Sequence, residues 1–206
     1  MTPKAVIFDI GNVLFEWQPE RFYDRAIGLE ARKSMFAEVD LHGMNDIVDR
    51  GADWKSTIET WADRYPDHRD AILMWHSNWL EMTSPLIDHS IRLQRVLRAK
   101  GVPVFALSNF GVGTFAYAEQ HYPFLADFDR RYISGHMKMI KPEPEIYAAV
   151  EADCDLPPEA LLFTDDRSEN IEAAAARGWQ THLFEGSEGL AERLISEGLL
   201  TEEEAR

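Results

Sequence analysis

Reactive side chains occur at four places along the chain, each at the end of a β-rich apolar stretch or at the entry to a helix. One is a lone carboxylate, one a Ser-Asn pair, one a lysine before a proline, and one a pair of adjacent carboxylates. They are Asp9, Ser108 with Asn109, Lys141, and Asp165 with Asp166. Each type is ordinary by itself in turns and helix caps. Together they offer a nucleophile, hard oxygen ligands, a hydroxyl and a positive charge.

Phosphoryl transfer uses this combination of groups. The Asp9 carboxylate could attack phosphorus and form an aspartyl-phosphate, which divides one difficult step into two. Asp9 and Asp165, with or without Asp166, would form the oxygen cage that Mg²⁺ prefers. The Ser108 hydroxyl would hold phosphate oxygens, and Lys141 would neutralise the charge that gathers during transfer. We therefore predict Mg²⁺ as cofactor and a small phosphorylated molecule as substrate.

These groups can meet only if the strands before them lie side by side and parallel. From residue 85 onward, β-rich runs alternate with helical patterns, and one more run precedes Asp9. The alternation predicts an α/β fold with a doubly wound parallel sheet, in which the carboxyl ends of the strands share one ligand crevice. The predicted strands are Lys4–Asp9, "VPVFALS", "RRYIS", "ALLFTD" and "QTHLF". The predicted helices are "DHSIRLQRVLRAKG", Thr114–His121, Pro144–Asp153, "SENIEAAAARG" and Glu188–Glu197.

The segment between the first and second strands has a different pattern. No strand-like alternation occurs over residues 16–84, which instead show the helical stretches "WQPERFYDRAIGL", "DWKSTIETWADRY" and "DAILMWHSNWLEM". Breaks are expected near Gly43, Gly51 and Pro66. We predict a core domain of residues 1–15 and 85–206, and a helical cap domain of residues 16–84 over the ligand-binding edge of the sheet.

Composition excludes several classes of partner. The formal net charge is −15, which argues against binding to nucleic acid or to anionic lipid. No apolar run reaches the length of a bilayer, and no signal-peptide pattern opens the chain, so we expect a cytoplasmic protein. The single cysteine, Cys154, excludes an intramolecular disulfide. An anionic substrate would need local positive charge, which a metal ion and a lysine can supply.

The four motifs resemble those of the haloacid dehalogenase superfamily of hydrolases, subfamily I, and occur in the family's order as "FDIGNVL", "LSNF", "KPEPEIY" and "FTDDRSENIEAA". The resemblance implies a Rossmann-like core with a helical cap between the first two motifs. It also implies that Asp9 is the nucleophile, Ser108 the phosphate-holding hydroxyl, Lys141 the charge clamp and Asp165 a magnesium ligand. Asp166 would be a second metal-linked acid. Phosphatases that open with "FDLGNV", among them a sugar-phosphate specialist, have a similar first motif.

Three functions are compatible with this resemblance. A phosphatase is favoured, because two adjacent carboxylates facing Asp9 would repel one another without a cation. A 2-haloacid dehalogenase would use the same aspartate without metal; Tyr147 matches a tyrosine of that pattern, although packing against the sheet explains it better. The third alternative is a weakly active or non-catalytic binding or regulatory protein.

Gly11 stands where typical phosphatases of this superfamily carry a second aspartate. The resemblance implies that the Gly11 carbonyl can still ligate magnesium, whereas the general acid, typically worth about 10²–10⁴-fold in rate, is lost. Three explanations stay open. The leaving group could be one that departs easily, such as an anomeric sugar. Glu16 or His42 could replace the acid, or the activity could be weak.

Several polar and aromatic side chains have two interpretations. Trp17 either forms a wall for the substrate or belongs to a helical-bundle core, and Asn109 either caps a helix or binds phosphate. Asn12 is expected to cap the turn after the first strand, and Asn170 to orient the acidic pair. Four residues either face the site or are exposed on a helix and loop: His42, Asn45, Asp46 and Arg50.

Overall fold

The computed structural model describes all 206 residues and has a sheet of five parallel strands at its centre. The strand order is β3-β2-β1-β4-β5, so the chain winds outward from β1 in both directions. The central strands β1, β2 and β4 are buried along their whole length, as apolar runs covered by helices on both faces must be. The strands are β1 Ala5–Phe8, β2 Val104–Ser108, β3 Arg130–Ile133, β4 Leu161–Asp165 and β5 Gln180–Leu183. The doubly wound α/β fold is confirmed.

The insert between β1 and β2 is helical up to residue 82. Its helices are α1 Pro19–Ala26, α2 Leu29–Glu38, α3 Leu41–Asp49, α4 Trp54–Arg64, α5 Arg69–Ser77 and α6 Trp79–Met82. Gly51, with φ of +100°, follows the end of α3, and Pro66 begins a short 3₁₀ turn after α4, both near predicted breaks. The break predicted near Gly43 lies a few residues earlier, between Glu38 of α2 and Leu41 of α3. Gly43 lies in the first turn of α3, where its amide donates to the N-cap carboxylate of Asp40 at 2.8 Å.

The remaining helices flank the sheet, and all except the short α9 lie close to where the sequence predicts a helix. They are α7 Asp88–Ala99, α8 Val112–His121, α9 Ser134–Met137, α10 Pro144–Cys154, α11 Ser168–Ala176 and α12 Ser187–Ser196. Short 3₁₀ turns occupy Pro123–Asp127 and Pro158–Ala160. No helix combines the length and the apolar character that a membrane crossing would need.

The insert packs on the sheet through a shared apolar core. Phe8 of β1, Met35 of α2 and Trp75 of α5 belong to one continuous cluster of buried side chains. Ile7 faces the opposite side of the sheet, where a second cluster lies beneath α10 and α11. Because successive strand residues point to opposite faces, β1 contributes to both clusters. One face of the sheet therefore holds the insert in place.

The chain enters and leaves the insert through two paired segments. The amide of Glu16 donates to the carbonyl of Pro85 at 2.9 Å, and the amide of Ile87 donates to Leu14 at 2.8 Å. Phe15 and Leu86 form an antiparallel bridge between these bonds. The predicted boundaries at residues 15/16 and 84/85 fall within this paired region. The division into core and cap domains stays a prediction.

Candidate active site

The four motifs meet at the carboxyl edge of the sheet. Asp9 follows β1, Ser108 ends β2 and Asp165 ends β4, and β1 lies between β2 and β4. Lys141, on the loop before α10, reaches into this edge. Its ammonium lies 3.0 Å from Asp9 Oδ1 and 2.6 Å from Asp165 Oδ2. Residues up to 156 positions apart in the chain therefore form one cluster, as parallel strand ends predict.

Lys141 is buried, with 2% of its surface exposed, and all three of its ammonium protons are engaged. Besides the two carboxylates, it donates to the carbonyl of Leu107 at 2.8 Å. Burial by itself lowers the pKa of Lys141, but the carboxylates of Asp165 and Asp9 outweigh it and raise that pKa overall. The lysine is therefore a fixed positive charge, since a buried ion needs such partners.

Asp9 lies in an unusual electrostatic environment. Burial raises its pKa to about 7, with further increases from the charges of Asp165 and Asp166. The Lys141 ammonium and a hydrogen bond with Ser108 oppose this increase. Asp9 Oδ1 also accepts the amide of the next residue, Ile10, at 2.7 Å. One lysine thus does not fully compensate the negative charge around Asp9, and a nearby cation would favour its ionised form.

Asp9, Asp165 and Asp166 form an acidic trio that fits a hard divalent cation. One carboxylate oxygen from each lies within 4.8 Å of the others, and oxygen is the ligand that Mg²⁺ prefers. The adjacent acids differ in availability. Both oxygens of Asp165 accept hydrogen bonds from Asn170 Nδ2, at 2.9 and 3.0 Å, and the amide of Arg167 adds another at 2.8 Å.

Asp166 is only half-buried, and Asn12 Nδ2 donates to its Oδ2 at 2.9 Å. Asp166 lines the cavity, whereas Asp165 lies behind it, 0% exposed. This arrangement favours Asp166 over Asp165 as a direct metal ligand. The sequence interpretation named Asp165 first and Asp166 second as metal ligands. Both assignments stay predictions, and the donors that saturate the Asp165 oxygens are the physical reason to expect the reverse order.

Gly11 also lines the cavity. Its carbonyl accepts no hydrogen bond from the protein and is free to bind a cation. A Cβ atom built at Gly11 would meet only Trp17 Cβ, at 3.9 Å, and the backbone there does not have positive φ. Neither space nor backbone conformation therefore forces glycine at this position. The missing second acid is a chemical feature of the site.

Two asparagines position the reactive groups. The Asn109 side-chain amide binds the backbone of Lys141: its Nδ2 donates to the Lys141 carbonyl at 2.9 Å, and its Oδ1 accepts the Lys141 amide N–H at 2.8 Å. Asn109 also lines the cavity, and the second proton of its Nδ2 has no partner in the protein, so binding of phosphate stays a prediction beside this structural role. Asn12, at φ +55°, accepts the amide of Trp17 at 2.8 Å while it orients Asp166. It caps the turn as predicted.

Tyr147 packs against the sheet as the sequence suggests. It is 0% exposed, and its ring lies edge-on to Phe163 and Trp179. Its hydroxyl donates to the carbonyl of Asn170 at 3.0 Å. This bond supports α11, whose Asn170 side chain donates to Asp165. The tyrosine does not line the cavity. The one residue that pointed to a dehalogenase is thereby a structural residue.

Asp9 and Asp166 of the acidic trio line a cavity of about 450 Å³ between the sheet edge and the insert. Aromatic side chains form part of its wall: Phe15, Trp17, Trp79 and Phe110. Trp17 is half-buried and lies edge-on to Trp75, with ring centroids 5.7 Å apart. Helix α3 contributes the polar side: His42, Asn45, Asp46 and Asp49. We call these four residues the α3 face.

The two predicted replacements for the general acid differ in position. Glu16 does not line the cavity and forms an ion pair with Arg21 at 2.5 Å, so the structure argues against it. His42 is on the cavity wall, but its side chain is 60% exposed and lies 3.2 Å from Glu20. Arg50 does not line the cavity either, because its guanidinium binds Glu143 at 2.7 Å.

Asp49 is the residue that sequence reasoning missed. It is only 8% exposed, and burial raises its pKa to about 8, with the charges of Asp46 and Asp9 adding to the increase. Hydrogen bonds from the Gly111 amide and from Asn45 oppose it. The signal was present in the spacing, because residues 42, 45, 46 and 49 follow the i, i+3, i+4, i+7 pattern of one helix face. The sequence prediction placed Arg50, and not Asp49, with His42, Asn45 and Asp46.

The fold and the site define an α/β enzyme with an aspartate after its first strand and a lysine-bound acidic cluster beside it. The chain belongs to the haloacid dehalogenase-like hydrolases, whose family model matches residues 3–178. It is a hydrolase of that family. Its assignment to subfamily I stays a prediction.

Known relatives and solved structures agree with this assignment. The sesquiterpene phosphatase astK of Aspergillus oryzae is 28% identical over 194 residues, which cover 86% of this chain and 87% of astK. A HAD family enzyme of Bacteroides thetaiotaomicron, solved with magnesium and inorganic phosphate, has a TM-score of 0.68 and 22% identity, covering 89% of this chain and 95% of its own. The L-2-haloacid dehalogenase of Xanthobacter autotrophicus has a TM-score of 0.61 and 20% identity, covering 97% and 85%. At these identities the two structures show the shared fold.

Proposed function

We propose that this protein is a Mg²⁺-dependent phosphatase that hydrolyses a small phosphorylated metabolite through an aspartyl-phosphate on Asp9. The observation that carries the proposal is the acidic trio with a single buried lysine. Three clustered carboxylates beside one ammonium would repel an anionic phosphate ester. A divalent cation removes that repulsion. A metal-free displacement of halide gives no reason for the trio.

The chain's own residues have separable roles in this reaction. Asp9 attacks phosphorus, and Lys141 holds the attacking carboxylate in place and offsets negative charge at the reacting centre. The Ser108 hydroxyl, which bonds Asp9 in the free protein, would turn to a phosphate oxygen. Asp9, Asp166 and the Gly11 carbonyl would hold Mg²⁺. When bound, the ion would supply charge neutralisation and orient the phosphate.

Two relatives support a phosphatase over the alternatives. One is named a sesquiterpene phosphatase, and one was crystallised with magnesium and inorganic phosphate. The dehalogenase neighbour has comparable identity and the same fold, so the preference for a phosphatase depends on the acidic trio and on the named phosphatase relative. The polar α3 face suits a leaving group that carries hydroxyls, so a sugar phosphate is the substrate class that we expect. If the protein turns over no substrate, a binding or regulatory role is supported instead.

The test is phosphate release from a panel of monophosphates, with Mg²⁺ and with EDTA. We expect release with Mg²⁺ only, and its loss in Asp9→Asn, because the nucleophile becomes a neutral amide. Asp155→Asn is the matched control: it makes the same change at an exposed site with φ +57°, which asparagine tolerates. Chloride release from 2-chloropropionate without metal would instead establish a dehalogenase.

A further inference from the structure

The α3 face brings an acid into the cavity from outside the sheet. Its four residues occupy one side of α3. The last of them, Asp49, is the only ionisable residue of the four whose side chain is buried. Asp46 and His42 are exposed. Because Gly11 leaves the position of the usual general acid without a carboxyl group, the question is whether Asp49 can donate a proton in its place.

The Asp49 carboxyl is held by a short chain of hydrogen bonds. Asn45, one turn earlier on α3, donates through Nδ2 to Asp49 Oδ2 at 2.9 Å. Asn45 Oδ1 in turn accepts the indole N–H of Trp75 at 3.2 Å. Trp75 is 1% exposed and packs in the core of the insert. The orientation of the carboxyl is therefore fixed by the half-buried Asn45, which the buried Trp75 holds in turn, and Asp49 Oδ1 has no side-chain partner.

The backbone of Asp49 is tied to the sheet edge. Its carbonyl accepts the Ser134 hydroxyl at 2.6 Å, and the same hydroxyl accepts the amide of Phe110 at 2.8 Å. Two glycines allow close approach around it. A Cβ atom at Gly51 would lie 2.6 Å from the carbonyl of Gly135, and one at Gly111 would lie 2.5 Å from Val48 Cγ1. The end of α3 thus packs directly on the loop that follows β2.

We propose that Asp49 is the general acid and base of the phosphatase reaction, supplying the function that Gly11 cannot. The proposal rests on the phosphatase function argued above. It extends the substrate class to esters of aliphatic alcohols, which depart poorly unless they are protonated.

The surroundings of Asp49 keep a proton on it at neutral pH. The charged groups facing it are Asp46 on its own helix and Asp9 beyond β1, both negative, and its pKa is raised to about 8, mainly by burial. Arg50 is engaged by Glu143. The elements packed against α3 contribute no cation to Asp49: Lys55 of α4 pairs with Glu59 at the surface, and His136 of α9 is exposed beside Phe115.

The proton balance closes within the site. In the first step an Asp9 oxygen forms a bond to phosphorus, the bond from phosphorus to the ester oxygen breaks, and the departing alkoxide takes the Asp49 proton. In the second step the Asp49 carboxylate takes a proton from water as that water attacks phosphorus. The bond from phosphorus to the Asp9 oxygen then breaks, which releases phosphate and leaves Asp49 protonated.

The experiment compares formation of the phosphoenzyme in wild type and Asp49→Asn. The substrates are 4-nitrophenyl phosphate, whose leaving group needs no proton, and an aliphatic monophosphate that wild type hydrolyses. Asparagine keeps the size of the side chain and the bond from Asn45. We expect rapid-quench rates to fall by about 10²–10⁴-fold for the aliphatic ester and by less than about tenfold for the nitrophenyl ester. The variant should then release one equivalent of nitrophenol in a burst, because the second step lacks its base.

If Asp49→Asn slows phosphoenzyme formation equally for both esters, or for neither, the role of Asp49 is overturned. Phosphate release by wild type would still support the phosphatase assignment. A wild type that releases phosphate from no monophosphate would overturn both. If Asp49→Asn fails to fold, the pH dependence of phosphoenzyme formation in wild type still tests the proposal. Phosphoenzyme formation from the aliphatic ester should decline above about pH 8 as Asp49 loses its proton. Formation from the nitrophenyl ester should show no such decline. If the rates for both esters depend on pH in the same way, the proposal is contradicted.

Discussion

Neighbouring groups, more than residue type, set the role of each carboxyl group in this site. Asp165 and Asp166 are adjacent in sequence, yet one is saturated by donors and the other opens to the cavity. Asp9 has Lys141 beside it, whereas no lysine or arginine pairs with Asp49. Two acids with different partners can divide the work of nucleophile and proton donor.

The raised pKa of Asp49 makes a prediction about stability. A carboxyl whose pKa rises from 3.8 to about 8 on folding binds its proton more tightly in the native state. The native state then binds more protons than the unfolded state between about pH 4 and pH 8, so stability falls with rising pH, by at most about 1.4 kcal/mol per unit. Asp49→Asn should therefore gain stability relative to wild type as pH increases through this window.

Urea unfolding of both proteins at pH 5 and pH 8 measures that difference. Asp155→Asn serves again as the control, because its carboxyl is exposed. A difference between wild type and Asp49→Asn that stays constant with pH would show that Asp49 is ionised throughout the range.

At the scale of elements, α3 joins the insert to the catalytic edge. Its N-terminus is capped by Asp40, and its C-terminal end is held by Ser134 and by Gly51 against Gly135. The four residues of the α3 face therefore have a fixed position over the acidic trio. Such close backbone packing is available only to glycine.

Gly51→Ala tests this contact. The substitution adds a Cβ atom at φ +100° and places it 2.6 Å from the carbonyl of Gly135. Gly101→Ala is the matched control, because Gly101 also has positive φ, +78°, but nothing lies within 4 Å. Backbone strain of order 1–3 kcal/mol is common to both. We expect Gly51→Ala to lose more unfolding free energy in urea than Gly101→Ala, and to lose turnover as well. Equal losses would show that α3 tolerates displacement.

At the scale of the whole molecule, a protein of net charge −15 has a concave site that is itself acidic. The cavity lies between the sheet edge and the insert, so it exists only in the folded chain. A cation that binds there therefore stabilises the folded state by mass action. At one hundred times its dissociation constant, a ligand adds about 2.7 kcal/mol. Metal binding can therefore be measured without any assay of activity.

We expect Mg²⁺ to raise the melting temperature of wild type and of Asp155→Asn. The increase should be lost in Asp166→Asn, since that change removes a carboxylate that faces the cavity. The same shift in Asp166→Asn as in wild type, measured by differential scanning calorimetry, would exclude Asp166 as a ligand.

The sequence alone determined the sheet, the order of its motifs and the residues at the strand ends. An apolar β-rich run before Asp9 or Asp165, and the glycines and prolines that end such runs, are local signals. Parallel strand ends then imply one crevice. The helical character of residues 16–84 could also be read from the sequence, but α2 could not. The continuity of α3 through Gly43 could not be read either, because the Gly43 amide donates to the N-cap carboxylate of Asp40 and this bond outweighs the low helix propensity of glycine.

Only the tertiary structure decided how the insert completes the site. The helical spacing places Asp49 on one face with His42, Asn45 and Asp46, but it does not show that Asp49 is buried. That burial depends on contacts of Asp49 with Ser134, Gly111 and Asn45. The different environments of Asp165 and Asp166 depend in the same way on Lys141, which lies 24 residues before Asp165 and donates to it. Periodicity fixes which face of a helix a residue shares, whereas the partners of that face are set by packing between segments far apart in the chain.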